Sequence, residues 1–147
     1  MAHVSMVTFG VDDLERATNF YLAMGWERSD VSVPGTVAFL RGGAIVLGLY
    51  GRDDLARDAG VEIVDRAGSA GVALAMNVDS EGAVDRALRD ADAAGGTVTR
   101  PAARADWGGY SGYFADPDGH LWEVAHNPGF TLLEDGCLLL PGDGRRP

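Results

Sequence analysis

The chain has 147 residues and a mass of 15.4 kDa, a length that favours one domain and can bury roughly 70% of the surface the unfolded chain exposes. Hydrophobic residues make up 46% and charged residues 23%, which excludes disorder as the main state. Acidic residues outnumber basic ones 22 to 12, for a net charge of −10, so the surface repels phosphates and neither a nucleic acid nor an anionic membrane is expected as partner.

All the basic residues are Arg, and the chain contains neither Lys nor Gln. The single cysteine, Cys137, excludes an internal disulfide and a zinc-type cysteine cluster. The first residues lack the basic start and long apolar run of a signal peptide. The longest apolar stretch, residues 44–50, is far short of the roughly 18 residues that a membrane span needs. The expected location is the cytoplasm.

Residues 4–11, rich in β-branched and apolar side chains, predict a strand. Asp12 with Glu15 three later predicts a capping box, and Leu14, Ala17, Tyr21 and Met24 then recur at helical spacing until Gly25. Residues 37–40 and 44–50 predict two strands joined by a hairpin turn at 41–43. Residues 53–59 predict a short helix started by Asp53 and Asp54, followed by a connector around 68–71.

The pattern then begins again. Residues 72–78 predict a strand and Asp79-Ser80 a helix cap. Val84, Ala87, Leu88 and Ala91 form the apolar stripe of the helix that ends at Gly95-Gly96. A strand begins at 97–99. Residues 112–115 and 121–125 form a hairpin around Asp116-Pro117-Asp118-Gly119, a turn sequence before it is a carboxylate pair. The remainder, 128–147, predicts an irregular tail. Two strand–helix–strands units suggest an internal duplication, with module one at about 1–66 and module two at about 70–127 of a single domain.

At this point the residues become familiar. The segment Val7-Thr8-Phe9-Gly10-Val11-Asp12-Asp13-Leu14-Glu15-Arg16-Ala17-Thr18-Asn19-Phe20-Tyr21 resembles the first strand and helix of the vicinal oxygen chelate superfamily, also called glyoxalase / bleomycin resistance protein / dioxygenase. The segment Tyr113-Phe114-Ala115-Asp116-Pro117-Asp118-Gly119-His120-Leu121-Trp122-Glu123-Val124 resembles its closing hairpin. The resemblance implies an α+β fold of two βαβββ modules, their mixed sheet curved around a concave cavity, often in a homodimer. It also implies four metal-ligating positions, which here carry Met6, Gly48, Ala73 and Glu123. Only Glu123 offers a hard donor, and a divalent metal needs about three protein ligands. No metal and no other cofactor is therefore expected.

Strand alternation gives the rest of the expected site. His120 and His126 are odd-spaced from Glu123, and His3 from Met6, so these histidines face away. Met6 shares its face with Thr8, Gly48 with Tyr50, and Ala73 with Ala75 and Asn77. Phe39 completes the expected lining, and the aromatics of the glycine-rich segment 107–113 (Trp107, Tyr110, Tyr113) would stack on a planar ligand. Glu123 would serve as hydrogen-bond acceptor or general base, or be paired with an arginine such as Arg104 or Arg41. The expected function is metal-independent binding of an apolar or aromatic drug-like molecule, in the manner of the drug-sequestering resistance branch. The alternative is a glyoxalase-type lyase or isomerase, or a dioxygenase-like enzyme, that uses Glu123 with an atypical metal site.

Overall fold

A computed structural model of the protein describes residues 3–62, 71–106 and 108–142. The first module runs β1 (Met6–Val11), α1 (Leu14–Ala23), β2 (Glu27–Arg28), β3 (Val37–Arg41), β4 (Val46–Gly51) and α2 (Arg52–Ala59). The second runs β5 (Ala73–Asn77), α3 (Glu81–Ala93), β6 (Thr97–Arg104), β7 (Tyr110–Ala115) and β8 (Leu121–His126). Each module builds a four-stranded mixed sheet, in the orders β1-β4-β3-β2 and β5-β8-β7-β6. In both, the first strand pairs parallel with the last and the remaining neighbours are antiparallel. This is the duplicated βαβββ architecture.

The helices start where short polar side chains can receive a free backbone N–H. Asp13, rather than the expected Asp12, caps α1 by accepting from Arg16 N at 2.9 Å. Asp12 is engaged elsewhere: its N–H donates to Asp118 Oδ1 at 2.8 Å and its carboxylate pairs with Arg52 at 3.1 Å. Ser80 caps α3 as expected, accepting from Ala83 N. Asp53 and Asp54 lie in the first turn of α2, where they favour the positive end of the helix dipole, but the cap position is Gly51, which has no side chain to give.

Two short elements escaped the sequence reading. Strand β2 has only two residues, too few for a periodic signal. The tail expected to be irregular contains an antiparallel pair, β9 (Thr131–Leu132) and β10 (Leu138–Leu139).

One core joins the modules. Val11, Ala38, Leu40, Leu47 and Leu49 on the helix side of the first sheet are buried, as are Val84, Leu88, Ala91, Phe114, Trp122 and Val124 of the second. Aromatic rings cross the junction: Phe20 of α1 lies 6.1 Å from Phe114 of β7, and Trp26 lies 5.8 Å from Trp122.

A polar latch completes the junction. Buried Asp116 accepts from the Tyr21 hydroxyl at 2.6 Å and lies 2.8 Å from His120 Nδ1, both at Oδ2, while its Oδ1 accepts from the backbone of Asp118 and His120. The Tyr21 oxygen in turn accepts from Trp122 Nε1 at 3.1 Å. Phe9 of β1 stacks on the His120 ring, centroids 4.0 Å apart and ring planes nearly parallel. Burial pushes the Asp116 carboxyl up, but the hydrogen bonds from His120 and Tyr21 outweigh it and hold the group below its ordinary value. Burial, followed by the charge of Asp116, drives the Tyr21 phenol far upward, so it remains a donor.

Candidate functional site

Because the helix-side residues of every central strand form the core, the alternate residues define an opposite, open face. On the first sheet the register aligns Thr8 of β1, Gly48 of β4 and Phe39 of β3 in one row. Met6, Val46 and Arg41 form the next row, and Tyr50 of β4 lies beyond, opposite Val37. Met6, Phe39, Val46 and Arg41, with Ser29 and Val31, line an apolar hollow of about 310 Å³.

On the second sheet the matching row runs Ala75 (β5), Glu123 (β8), Tyr113 (β7) and Arg100 (β6). The flanking rows hold Asn77, Ala125 and Ser111 on one side and Ala73, Leu121 and Ala115 on the other. Glu123 is half-buried and Ala73 and Ala75 are exposed. Burial, and then the negative charge of Glu123 opposite it, raise the Tyr113 phenol, while Arg100 pulls the other way.

The expected lining residues thus divide. Met6, Thr8, Phe39, Gly48 and Tyr50 share the open face of the first sheet, and Ala73, Ala75, Asn77, Tyr113 and Glu123 that of the second. Tyr110 stands apart: it pairs with His126, on the other face of β7, and its hydroxyl donates to Asp85 of α3 at 2.9 Å. Trp107 lies outside the described residues. Neither arginine foreseen as a partner goes to Glu123. Arg104 is bound to Glu81 of α3 at 2.9 Å, and Arg41 reaches Ser29.

The four positions that the family pattern reserves for a metal do not suit one. Gly48 carries no side chain, and a Cβ built there would lie 2.9 Å from Thr8 Oγ1, so the hydroxyl takes the place a chelating group would need. Met6 and Ala73 add a thioether and a methyl, and Glu123 has Ala75 and Tyr113 as its neighbours in the row. One carboxylate with a neutral hydroxyl is a poor donor set for a divalent ion in competition with water. Two of the three histidines are committed elsewhere: His120 to Asp116 and Phe9, and His126 Nδ1 to Val78 O at 3.2 Å. Among the described residues, no three His, Cys, Asp or Glu side chains converge on one point.

Two residues of this face had no part in the sequence reading. Arg100 Nη2 donates to Ser111 Oγ at 2.8 Å and to Ser111 O at 3.2 Å, and the guanidinium lies over the Tyr113 ring, 4.8 Å from its centroid. The β6–β7 register slips between Val98 and Arg100 and again between Arg100 and Ala103, which hides Arg100 from any parity argument. Pro101, inside a strand, was the available signal, since proline in a sheet marks an edge or a bulge.

A larger hollow, about 560 Å³, lies at the module junction beneath the tail hairpin, lined among others by Trp26, Leu74, Met76, Trp122, Leu132 and Leu138. Its lining is mostly apolar, with Asn77 and Glu134 as the polar side chains, and it also takes in Ala75 at the edge of the second sheet's open face. Volume alone does not make it the site, and the chemistry favours the face around Glu123.

The family model for the Glyoxalase/Bleomycin resistance protein/Dioxygenase superfamily matches residues 2–124. A glyoxalase-related enzyme from Fulvimarina pelagi is 37% identical, with 95% of this chain and 99% of that one covered and a TM-score of 0.86. A lactoylglutathione lyase from Agrobacterium tumefaciens is 27% identical over 86% of this chain and 95% of its own, with a TM-score of 0.65. A member of the same superfamily from Burkholderia phytofirmans PsJN, 19% identical with a TM-score of 0.76 over 85% of this chain and 98% of its own, shares the fold. No curated protein sequence matches the chain.

Proposed function

The chain belongs to the Glyoxalase/Bleomycin resistance protein/Dioxygenase superfamily, and from that premise we propose that it is a small-molecule binding protein whose open sheet faces hold an apolar or aromatic ligand, with Glu123 as the acceptor for the ligand's polar group. The observation that carries the reading is the make-up of the four positions that the family pattern would use for a metal. Glu123 is an acid, but its counterparts are Gly48 and Met6 on the first sheet and Ala73 on the second, which give space and apolar surface instead of chelation. Surfaces that are mostly apolar with few placed polar groups suit drug-sized ligands. Binding alone would be a sufficient activity, because a sequestered ligand cannot reach its target.

A half-buried carboxylate next to an apolar wall favours an ammonium or other N–H donor, since a charge-assisted hydrogen bond is about twice as strong as a neutral one. The test is calorimetric titration of chelator-treated protein with 1-naphthylmethylamine. Wild type binds, and Glu123→Gln weakens binding about tenfold, the value of one charge-assisted hydrogen bond after solvent competition. Equal binding by both proteins, or binding that needs an added divalent ion, contradicts the reading.

A second reading has a specific observation in its favour: two of the similar structures are named as enzymes, a glyoxalase-related enzyme and a lactoylglutathione lyase. Glu123 would then be the general base of a lyase or isomerase acting next to a carbonyl, with the Tyr113 hydroxyl beside it. Turnover of an α-carbonyl substrate, abolished in Glu123→Gln while binding survives, would put this reading first.

A further inference from the structure

We infer that Arg100 is an anion-recognising residue of the open face, and that the ligand class is an apolar or aromatic molecule carrying a carboxylate as well as the N–H donor that Glu123 accepts. This rests on the reading of that face as a ligand site and names the ligand's second polar group.

The first observation is placement. Arg100, Tyr113 and Glu123 occupy one row on three successive strands. Neighbouring strands lie roughly 4.8 Å apart, so a cation and an anion stand roughly 10 Å from each other across the phenol at the backbone level. Arg100 makes no ion pair with Glu123, nor with any carboxylate among the described residues. Each charge is left with recognition capacity of its own.

The second observation is construction. The two register slips on either side of Arg100 are bulges, which bend a strand and redirect a side chain. The partner strand is fitted to this irregularity: a Cβ on Gly112 would come within 3.0 Å of Arg100 O and Ala102 N, and 2.6 Å from Leu88 Cδ1, so only glycine permits the approach. The guanidinium is then held twice, by the buried Ser111 through Nη2 and by the Tyr113 ring beneath it. A surface arginine with no task loses rotamer entropy in such a setting, whereas one pre-positioned for a ligand has that cost met before binding.

The third observation is chemical. Both hydrogen bonds to Ser111 come from Nη2. Nε and Nη1 carry the other three N–H donors of the fork, which have no hydrogen-bond partner among the described residues, and the fork geometry matches a carboxylate. The whole chain carries a net charge of −10, so an anion approaches it only where a local cation overrides the field.

Three ligands with one common ring test the inference by calorimetry: 1-naphthylmethylamine, 1-naphthylacetate and 3-(1-naphthyl)alanine. Wild type binds the amino acid most tightly. Arg100→Gln weakens naphthylacetate and naphthylalanine about tenfold and leaves naphthylmethylamine unchanged, while Arg100→Lys, which keeps the charge but loses the fork, falls between. Thermal melts of both variants, matched to wild type, show that the fold survives. Arg100→Gln weakening all three ligands alike, or none, overturns the inference and leaves the binding-site reading standing. Failure of all three to bind wild-type protein overturns both, and the amine alone separates the two cases.

Discussion

Asp116→Ala lowers the stability of the protein by about 3 kcal/mol or more. The side chain is buried and accepts four contacts, from the Tyr21 hydroxyl, from His120 Nδ1 and from the backbone N–H groups of Asp118 and His120. Its removal orphans buried donors, each worth about 1–3 kcal/mol when left unpaired. A chain of this length shifts its midpoint by roughly 2–4 °C per kcal/mol, so the melting temperature falls by on the order of 10 °C. The loss is larger than that of any surface pair among the described residues, because the contacts join α1 of one module to the turn of the other.

The same carboxyl sets a pH dependence of known sign. Its folded value is held below the ordinary 3.8 by the hydrogen bonds from His120 and Tyr21, so at acid pH the unfolded chain binds the extra proton. The stabilisation is present in full above the ordinary carboxylate range and disappears as pH falls through the folded value. Asp116→Asn is therefore less stable than wild type near neutrality, and the gap narrows below pH of about 4. Urea titrations at several pH values check this. A gap that widens in acid would mean that Asp116 is protonated in the native latch.

Phe114→Ala produces a loss of about 3–5 kcal/mol, the range for removing a buried aromatic ring. Phe114 is fully buried, stacks on Trp122 with ring planes 7° apart and reaches Phe20 of the other module. Tyr113→Ala, one residue before it, is the internal control. Its side chain is on the open face, so it costs far less stability while weakening ligand binding. Chemical denaturation of the two variants reads the alternation of β7 directly. Similar losses in both would mean that Tyr113 is part of the packed core.

The modules were legible because their signals are periodic. The stripe of Val84, Ala87, Leu88 and Ala91 reappears on the packed face of α3, with Ala87 half-buried and the others buried. The turn Asp116-Pro117-Asp118-Gly119 was legible as a turn, but not as a latch. Nothing in its four residues names Tyr21, 95 positions earlier, as the partner of Asp116. The capping residue was misplaced by one because Asp12 and Asp13 are chemically equal, and only the long-range bond to Asp118 decides between them.

The site was partly legible for the same reason. Parity grouped Ala73 with Ala75 and Asn77, and the register sets these three level with Leu121, Glu123 and Ala125 of β8. Parity cannot follow a strand through a slipped register, so Arg100 was missed. Ser111, two residues from Tyr113 on an unbroken strand, was within reach of parity, and Tyr110 was grouped with Tyr113 although three residues apart means opposite faces.

The most direct test of the account is a map of where a ligand lands. Backbone amide spectra of isotopically labelled protein, titrated with 1-naphthylmethylamine, should shift at Ser111, Tyr113 and Glu123 and remain fixed at Leu132 and Leu138. Shifts confined to Trp26, Leu132 and Leu138, around the hollow beneath the tail hairpin, would contradict it and move the binding site to the module junction.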